Sequence, residues 1–382
     1  MSRRILPATS ASLALLCAAA LLGVSLASAA EPAKPAVKAD REAYQQAIER
    51  AIQFLATKGQ APDGSYSAQA GPGVTALVTT ALLRNGRTPK DPLVAKSLAY
   101  LERFVQPDGG VYNPKTLYQN YETCLAIQCF KEANRDGRYD KLLANAEKFV
   151  KAQQWDETEG RDPTDYSYGG AGYGSKQRPD LSNTQFLMDA LVAVGNGPDD
   201  PAIQKALIFV SRCQNLESEH NTTPFAAKNP DGGFYYTVAG GGASMAGQTP
   251  NGGLRSYGSM TYAGLKSMIY AGVGPDDPRV KAAVAWIRKH YAVDTNPGMG
   301  DAGLYYYYHT FAKALDAMKL DTIEDADGTQ HAWREELLAE LIKRQRPDGS
   351  WINDNSRWLE GDPNLVTGYA LLSLAYCRPA GK

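Results

Sequence analysis

The chain has 382 residues, with 40 Lys and Arg against 41 Asp and Glu, and it is rich in Gly (36) and Tyr (22). A formal charge of −1, with no local run of Lys or Arg, offers no electrostatic footprint for nucleic acid. A composition that is 43% hydrophobic and 21% charged belongs to a folded core and excludes both a disordered chain and an integral membrane bundle.

In chain order, Arg3 and Arg4 precede an apolar stretch from Leu13 to Leu26 and then the small residues Ala27, Ser28 and Ala29. This pattern reads as a cleavable export signal over residues 1–30, too short for a membrane span. Ser2-Arg3-Arg4 also partly matches a twin-arginine signal. Cys17 follows Leu16 and not a small residue, which argues against a lipid anchor. A linker over 31–40 and a single domain over 41–378 follow, so the expected location is periplasmic or secreted, with no transmembrane segment after processing. The cysteines of that domain, Cys124, Cys129, Cys213 and Cys377, lack zinc-ligand spacing, and Cys124 and Cys129 sit in an apolar helical pattern. Buried free thiols are expected.

Two kinds of helical segment then alternate. The first kind is amphipathic: Ile48 to Leu55, Val94 to Val105, Leu142 to Phe149, Ile203 to Val210, Val280 to Ile287 and Leu338 to Ile342. Three of these open with Asp-Pro, at Asp91-Pro92, Asp200-Pro201 and Asp277-Pro278, where Asp caps free amides and Pro has the φ of a first helical residue. The second kind is apolar all round and carries Thr at one shared register: Thr75, Thr123, Thr184, Thr261, Thr310 and Thr367. Helices this apolar must be surrounded by other helices.

Between them a turn recurs as Gln60-x3-Gly64-x-Tyr66, Gln106-x3-Gly110-x-Tyr112 and Gln345-x3-Gly349-x-Trp351, with a variant at Asn229-x3-Gly233-x-Tyr235. Gly permits a tight reversal, and the Gln amide can bond backbone groups. Two insertions, Trp155 to Lys176 and Glu217 to Gly258, lie between an outer helix and the next inner one. Six alternating hairpins bury both faces of their inner helices most economically by closing into a ring. The predicted fold is therefore all-α, an α/α toroid of six helical hairpins, with parallel inner helices around a central cavity and six positive helix ends at its mouth.

The Q-x3-G-x-W/Y turns and paired helices resemble the repeat of squalene and oxidosqualene cyclases, related terpene cyclases and protein prenyltransferase β subunits. The resemblance spans residues 41 to 377. It implies a toroid acting on isoprenoid ligands, but both of the family's catalytic motifs are altered. An Asp-rich D-x-D-D acid motif would fall at Asp180-Leu181-Ser182-Asn183-Thr184, where Ser182 takes the place of the proton donor. Asp180 remains as a candidate acid, or as a helix cap together with Ser182. The zinc histidine position resembles His309 of Tyr308-His309-Thr310, yet Arg255 to Thr261 supplies neither Asp nor Cys as partner ligand, so no metal site is expected.

The residues preceding the shared Thr include Glu122, Asn183 and His309, of which Glu122 and His309 can move protons near neutral pH. Tyr118, Tyr121, Arg255, Tyr257, Tyr305 and Tyr308 are expected beside them as ligand contacts. Two at most of the run Tyr305 to Tyr308 can face inward. The structural reading of the same residues pairs Glu122 with Arg255 or has it cap its neighbours, and bonds His309 to a Tyr. The Gly-rich second insertion lacks the features of a phosphate loop and reads as a mobile flap. Asp156, Glu157, Glu159, Asp162 and Asp165 could hold Ca²⁺ or form a solvated acidic loop; no other cofactor is expected. The leading expectation is an exported toroid that binds an apolar, isoprenoid or lipid-like ligand, with non-standard acid/base catalysis by Glu122, His309 and Asp180. The alternatives are a polysaccharide lyase or hydrolase with Arg255 and Tyr257 at its centre, and a catalytically inert protein-interaction ring.

Overall fold

The computed structural model describes residues 41–175 and 177–379; the export-signal and linker readings lie outside the described residues. The outer helices are α1 (Arg41–Phe54), α3 (Pro92–Glu102), α5 (Asp140–Lys151), α7 (Pro201–Arg212), α9 (Pro278–Lys289) and α11 (Trp333–Arg344). The inner helices are α2 (Pro72–Arg84), α4 (Gln119–Ala133), α6 (Leu181–Ala193), α8 (Gly258–Tyr270), α10 (Leu304–Ala317) and α12 (Pro363–Tyr376). Each inner helix packs on the next, and α12 packs back on α2, which closes the ring. Gly368 makes that closure tight: a Cβ there would stand 2.5 Å from Leu77. A two-residue hairpin, Ile323–Glu324 with Gln330–His331, joins α10 to α11. Among the described residues no helix is long and apolar enough to cross a membrane.

The Asp-Pro starts behave as read. Asp91, Asp200 and Asp277 each accept the backbone N–H two residues on, with Pro in the first helical turn. The shared threonines have a common structural task. The backbone N–H groups of Tyr66, Val111, Ala171, Phe234 and Trp351 donate to Thr75, Thr123, Thr184, Thr261 and Thr367 respectively, at 2.9–3.1 Å. Each bond pins a turn to the inner helix it precedes, and a buried N–H deprived of such a partner costs roughly 1–3 kcal/mol. Thr310 instead donates to the Tyr307 carbonyl.

The structure corrects the register of two turns. Within these turns the glycines with positive φ are Gly64, Gly109, Gly169, Gly232 and Gly349, so Gly109 and Gly232 take the place assigned to Gly110 and Gly233, and residues 167–171 form a fifth such turn. Each of the five presses on a carbonyl of an outer helix, those of Lys96, Asn145, Lys205, Ala282 and Arg50. Gln60, Gln154 and Gln214 donate their amides to the first turn of an outer helix, at the carbonyls of Leu93, Ala202 and Arg279, and Gln345 donates to the Ala47 carbonyl in the middle of α1. The fourth clasp is therefore made by Gln214 and not by Asn229. The Gln345 bond ties the last hairpin to the first.

The four cysteines are buried and free. In the first insertion Asp156 and Glu159 form a capping box, Asp156 and Glu157 pair with Lys205, and Asp165 pairs with Arg161. These acids are thus committed to turns and to ion pairs. The second insertion is closed by two antiparallel bridges, Thr237 with Ala243 and Gln248 with Leu254, and Thr237 donates to the carbonyl of Pro179, just before α6.

Candidate functional site

The N-terminal ends of the inner helices gather at one end of the ring, and three buried carboxyls stand there, those of Glu122, Asp180 and Glu360. Glu122 lies in the first turn of α4 and is 1% exposed. It accepts the N–H of Asn113 at 2.8 Å and the hydroxyl of Thr116 at 3.3 Å. Gly71, the residue before α2, has φ 84°, and any Cβ there would overlap the Glu122 carboxylate, so glycine is what lets the acid reach this helix end. Burial pushes the Glu122 carboxyl up to about 7, against the pull of its two donors. Asp180 caps α6, taking the Asn183 N–H at 2.8 Å and its side-chain amide at 2.7 Å. Burial raises Asp180 to about 6, although Asn183 and the Tyr236 hydroxyl favour its charged form. Ser182 plays no part in that cap; its hydroxyl lies 3.0 Å from that of Tyr306.

The axis is filled by side chains where an open apolar cavity was expected. Helices α6 and α10 are not neighbours in the ring, yet Phe186 and Tyr306 have centroids 6.1 Å apart, so their contact spans the lumen. Tyr121 meets Phe186 edge-on at 5.2 Å, and Tyr306 meets Tyr369 at 6.0 Å. This aromatic layer continues outward through Tyr173, 6.0 Å from Tyr121, to Tyr118, which is 44% exposed at the rim. Leu117, Trp358 and Leu359 are also exposed there, and Trp358 and Leu359 hold left-handed φ values of 56° and 67° that are costly for such residues. Two hollows open elsewhere: one of about 180 Å³ beside Gln106, Pro107 and Asn145, and one of about 320 Å³ at the far end of the ring beside Arg84, Tyr376 and Arg378.

The remaining predicted residues are divided by the structure. Asn183 is buried with Oδ1 unpartnered, and Tyr257 is buried near Asp180 and Tyr306. Tyr305 and Tyr308 turn outward, where Arg344 and Glu340 of α11 dominate their surroundings, and Tyr306 is the member of the run that reaches the lumen. Arg255 does not pair with Glu122: it is exposed on the second insertion and donates to the Gln248 carbonyl at 3.0 Å. His309 is 4% exposed, sits deeper than the aromatic layer with its ring 5.9 Å from that of Tyr369, and leaves Nδ1 unpartnered. Its imidazole is held neutral, pushed well below its usual range by burial and by the nearby Lys313 and Lys266.

A charged layer below the rings escaped sequence reasoning. Lys266 of α8 donates to Asp189 Oδ1 at 2.6 Å and to Gln185 Oε1, and Lys313 of α10 stands 2.8 Å from Asp189 Oδ2. All three charged groups are buried. A signal was present: Asp189 and Lys266 each fall five residues after the shared Thr, as charges within otherwise apolar helices. Glu360 was also missed; it accepts the N–H groups of Tyr305 and Tyr306 at the start of α10. Among the described residues no group of three His, Cys, Asp or Glu is arranged to hold a metal ion.

No protein-family profile matches the chain, and no curated protein matches it in sequence. Solved structures do match in shape. The apo type II terpene cyclase MstE from Scytonema aligns with a TM-score of 0.51 at 14% identity, over 88% of this chain and 98% of the cyclase. A protein from Actinoplanes gives 0.51 at 13% identity, over 87% and 99%. A family 76 glycoside hydrolase from a bovine Bacteroides thetaiotaomicron strain gives 0.51 at 10% identity, over 87% of this chain and 77% of the hydrolase. At these identities the likeness is one of fold, an α/α toroid, which hosts both lipid and sugar chemistry.

Proposed function

We propose that this protein is an exported toroid that binds an apolar, isoprenoid-like ligand at the mouth of its ring and protonates it. The observation that carries the reading is Glu122: a buried carboxyl, poised near neutrality, one residue after Tyr121 of the aromatic layer. A group about half protonated at pH 7 can give up a proton and be recharged, which is the balance general acid catalysis needs. The π faces of Tyr121, Phe186 and Tyr306 suit both an apolar chain and any positive charge that protonation creates on it. Asp180 is the second acid of the same rim, and the exposed Leu117, Tyr118, Trp358 and Leu359 give the ligand its first apolar contacts. Since the rings of Tyr121, Tyr306 and Tyr369 meet across the axis, ligand entry requires them to part. Export is carried in this reading by Arg3, Arg4 and the apolar stretch that follows them.

The test is solvent extraction of the purified native protein followed by mass spectrometry of the extract. An apolar compound retained by wild type, and retained unconverted by Glu122→Gln, is expected. Extracts empty across several host membranes and purifications would remove the reading. Release of sugars from polysaccharide by the wild-type protein would favour the carbohydrate role that the same fold serves elsewhere.

A further inference from the structure

The charged layer holds two ammonium groups on one carboxylate. Facing it from each inner helix are Arg84 of α2, Cys124 of α4, Asp189 and Gln185 of α6, Lys266 of α8, His309 of α10 and Tyr369 of α12. Arg84 is already matched, donating to Glu132 at 2.7 Å. Were both lysines charged, the pair with Asp189 would leave one positive charge unmatched in a dry interior. Proteins relieve that cost by neutralising a group.

The two lysines are not equivalent. Lys266 makes two hydrogen bonds and stands over the Tyr270 ring at 5.7 Å, and its side chain is 1% exposed. Lys313 has a contact with Asp189 Oδ2 whose angle is poor for a hydrogen bond, and its side chain is 8% exposed. Lys313 is therefore the member that gives up its proton, and burial together with Lys266 brings it down to about 7. A neutral amine in an apolar setting is a nucleophile. One helical turn before it, on the same face of α10, lies His309 with a buried Nδ1 that has no partner. The rings of Tyr306 and Tyr369 pack above, 6.0 Å apart.

We propose that Lys313 captures an apolar aldehyde as a neutral imine, with His309 as the proton carrier and the Asp189–Lys266 pair left intact. The Lys313 nitrogen forms a bond to the carbonyl carbon as the C=O π bond breaks, and one of its two protons passes by way of His309 to the carbonyl oxygen. The resulting carbinolamine loses its hydroxyl, with the remaining N–H proton, as water. The C=N bond that remains is neutral, so no second positive charge is placed on Asp189. No oxidant or reductant enters the balance. Lys313 lies below the aromatic layer, so this site does not rest on acid chemistry at Glu122; lipid extraction reads the mouth, aldehyde labelling reads Lys313, and either can fail alone.

The experiment treats the native protein at pH 7 with decanal and cyanoborohydride, which fixes an imine as a stable secondary amine, and maps the product by intact mass and peptide mass spectrometry. An exposed lysine near pKa 10.4 is neutral for less than roughly one molecule in a thousand at pH 7, against about half for Lys313. Even after allowance for the lower nucleophilicity of a weaker base, a roughly hundredfold preference for Lys313 over surface lysines is expected. Lys313→Arg removes the adduct, Lys266→Arg retains it, and His309→Gln slows its formation without moving the pH midpoint. The labelling rate at Lys313 levels off above about pH 7, whereas surface labelling keeps climbing toward pH 10. An adduct spread over surface lysines, or none at Lys313 in folded wild-type protein, overturns the proposal whether or not the variants fold.

Discussion

The turn glycines allow a sharp test of how the hairpins are joined, because two of them share a backbone conformation but not an environment. Gly169 has φ 81° and Gly86 has φ 91°, so alanine at either carries the left-handed penalty of roughly 1–2 kcal/mol. In both cases that is partly offset by about 0.4–1 kcal/mol through loss of freedom in the unfolded chain. The environments then separate them. Nothing lies within 4 Å of a Cβ at Gly86, whereas a Cβ at Gly169 would overlap the Lys205 carbonyl oxygen of α7, with the carbonyl carbon at 2.5 Å and the next amide nitrogen at 3.2 Å. All three atoms are helix backbone, which cannot rotate away, so α7 itself must shift; overpacking of that kind costs roughly 1–3 kcal/mol. Gly86→Ala should lose about 1 kcal/mol or less, and Gly169→Ala about 2–4 kcal/mol. Urea unfolding with an unchanged denaturant slope measures both. Equal midpoints for the two variants would refute the claim that these glycines serve contact with the outer helix.

Three further outcomes follow from the rim and the charged layer. Native Glu122 keeps its proton to about pH 7 while the unfolded chain loses it near 4.5, so stability falls as pH rises through that window, by roughly 3 kcal/mol. Glu122→Gln removes the decline, giving a variant more stable than wild type at pH 8 but not at pH 4; identical pH profiles by thermal melting would sink this. Asp189→Asn strands two buried ammonium groups and should cost about 3–5 kcal/mol at pH 6. Because buried lysines are weaker bases than unfolded ones, the unfolded state binds more protons above pH 7, so that loss should shrink toward pH 10, and a loss independent of pH would contradict it. Trp358→Gly releases left-handed strain of roughly 1 kcal/mol on an exposed residue, so the melting temperature should hold or rise while retention of an apolar ligand falls; a lowered melting temperature with ligand retention intact would show that the residue serves the fold.

What the sequence revealed and what it hid divide along physical lines. The ring was legible because each inner helix is apolar on every side and each outer one on a single stripe, and only closure buries both. The caps at Asp91, Asp200 and Asp277 were legible because Asp-Pro states its backbone role locally. The turn register slipped where two glycines are adjacent, at Gly109-Gly110 and Gly232-Gly233, since sequence does not say which of a pair takes positive φ and touches the neighbouring helix. Side-chain direction was the larger gap. Tyr305 and Tyr308 face outward and Tyr306 inward, a difference of one residue in a run of four that composition cannot assign. Asp189, Lys266 and Lys313 went unread for a different reason: Asp189 and Lys266 are lone charges in their helices and Lys313 shares its helix only with Asp316, so a cluster forms only once three helices are set around one axis.

The order of residues along that axis has a consequence for how the two polar layers communicate. Relative to the shared Thr, Glu122 stands one residue before, Phe186 and Tyr369 two after, and Asp189 and Lys266 five after. At a rise of 1.5 Å per residue the rim acid and the charged layer are roughly 9 Å apart along the ring, with the aromatic layer between them. A polar thread does cross that layer, from Ser182 through the Tyr306 hydroxyl and Gln185 to Lys266 and Asp189, but the hydrogen bonds of Glu122 go to Asn113 and Thr116 and do not join it. Sites this far apart with no shared partner change stability additively to within about 0.5 kcal/mol. Glu122→Gln combined with Asp189→Asn should therefore equal the sum of the two single changes at every pH from 5 to 9. A coupling above roughly 1 kcal/mol would mean that water or side chains connect the layers through the rings, and that protons taken up at the rim reach Lys313. Additivity would instead mean that the toroid keeps two separate proton-active chambers on one axis, each of which can be altered without retuning the other.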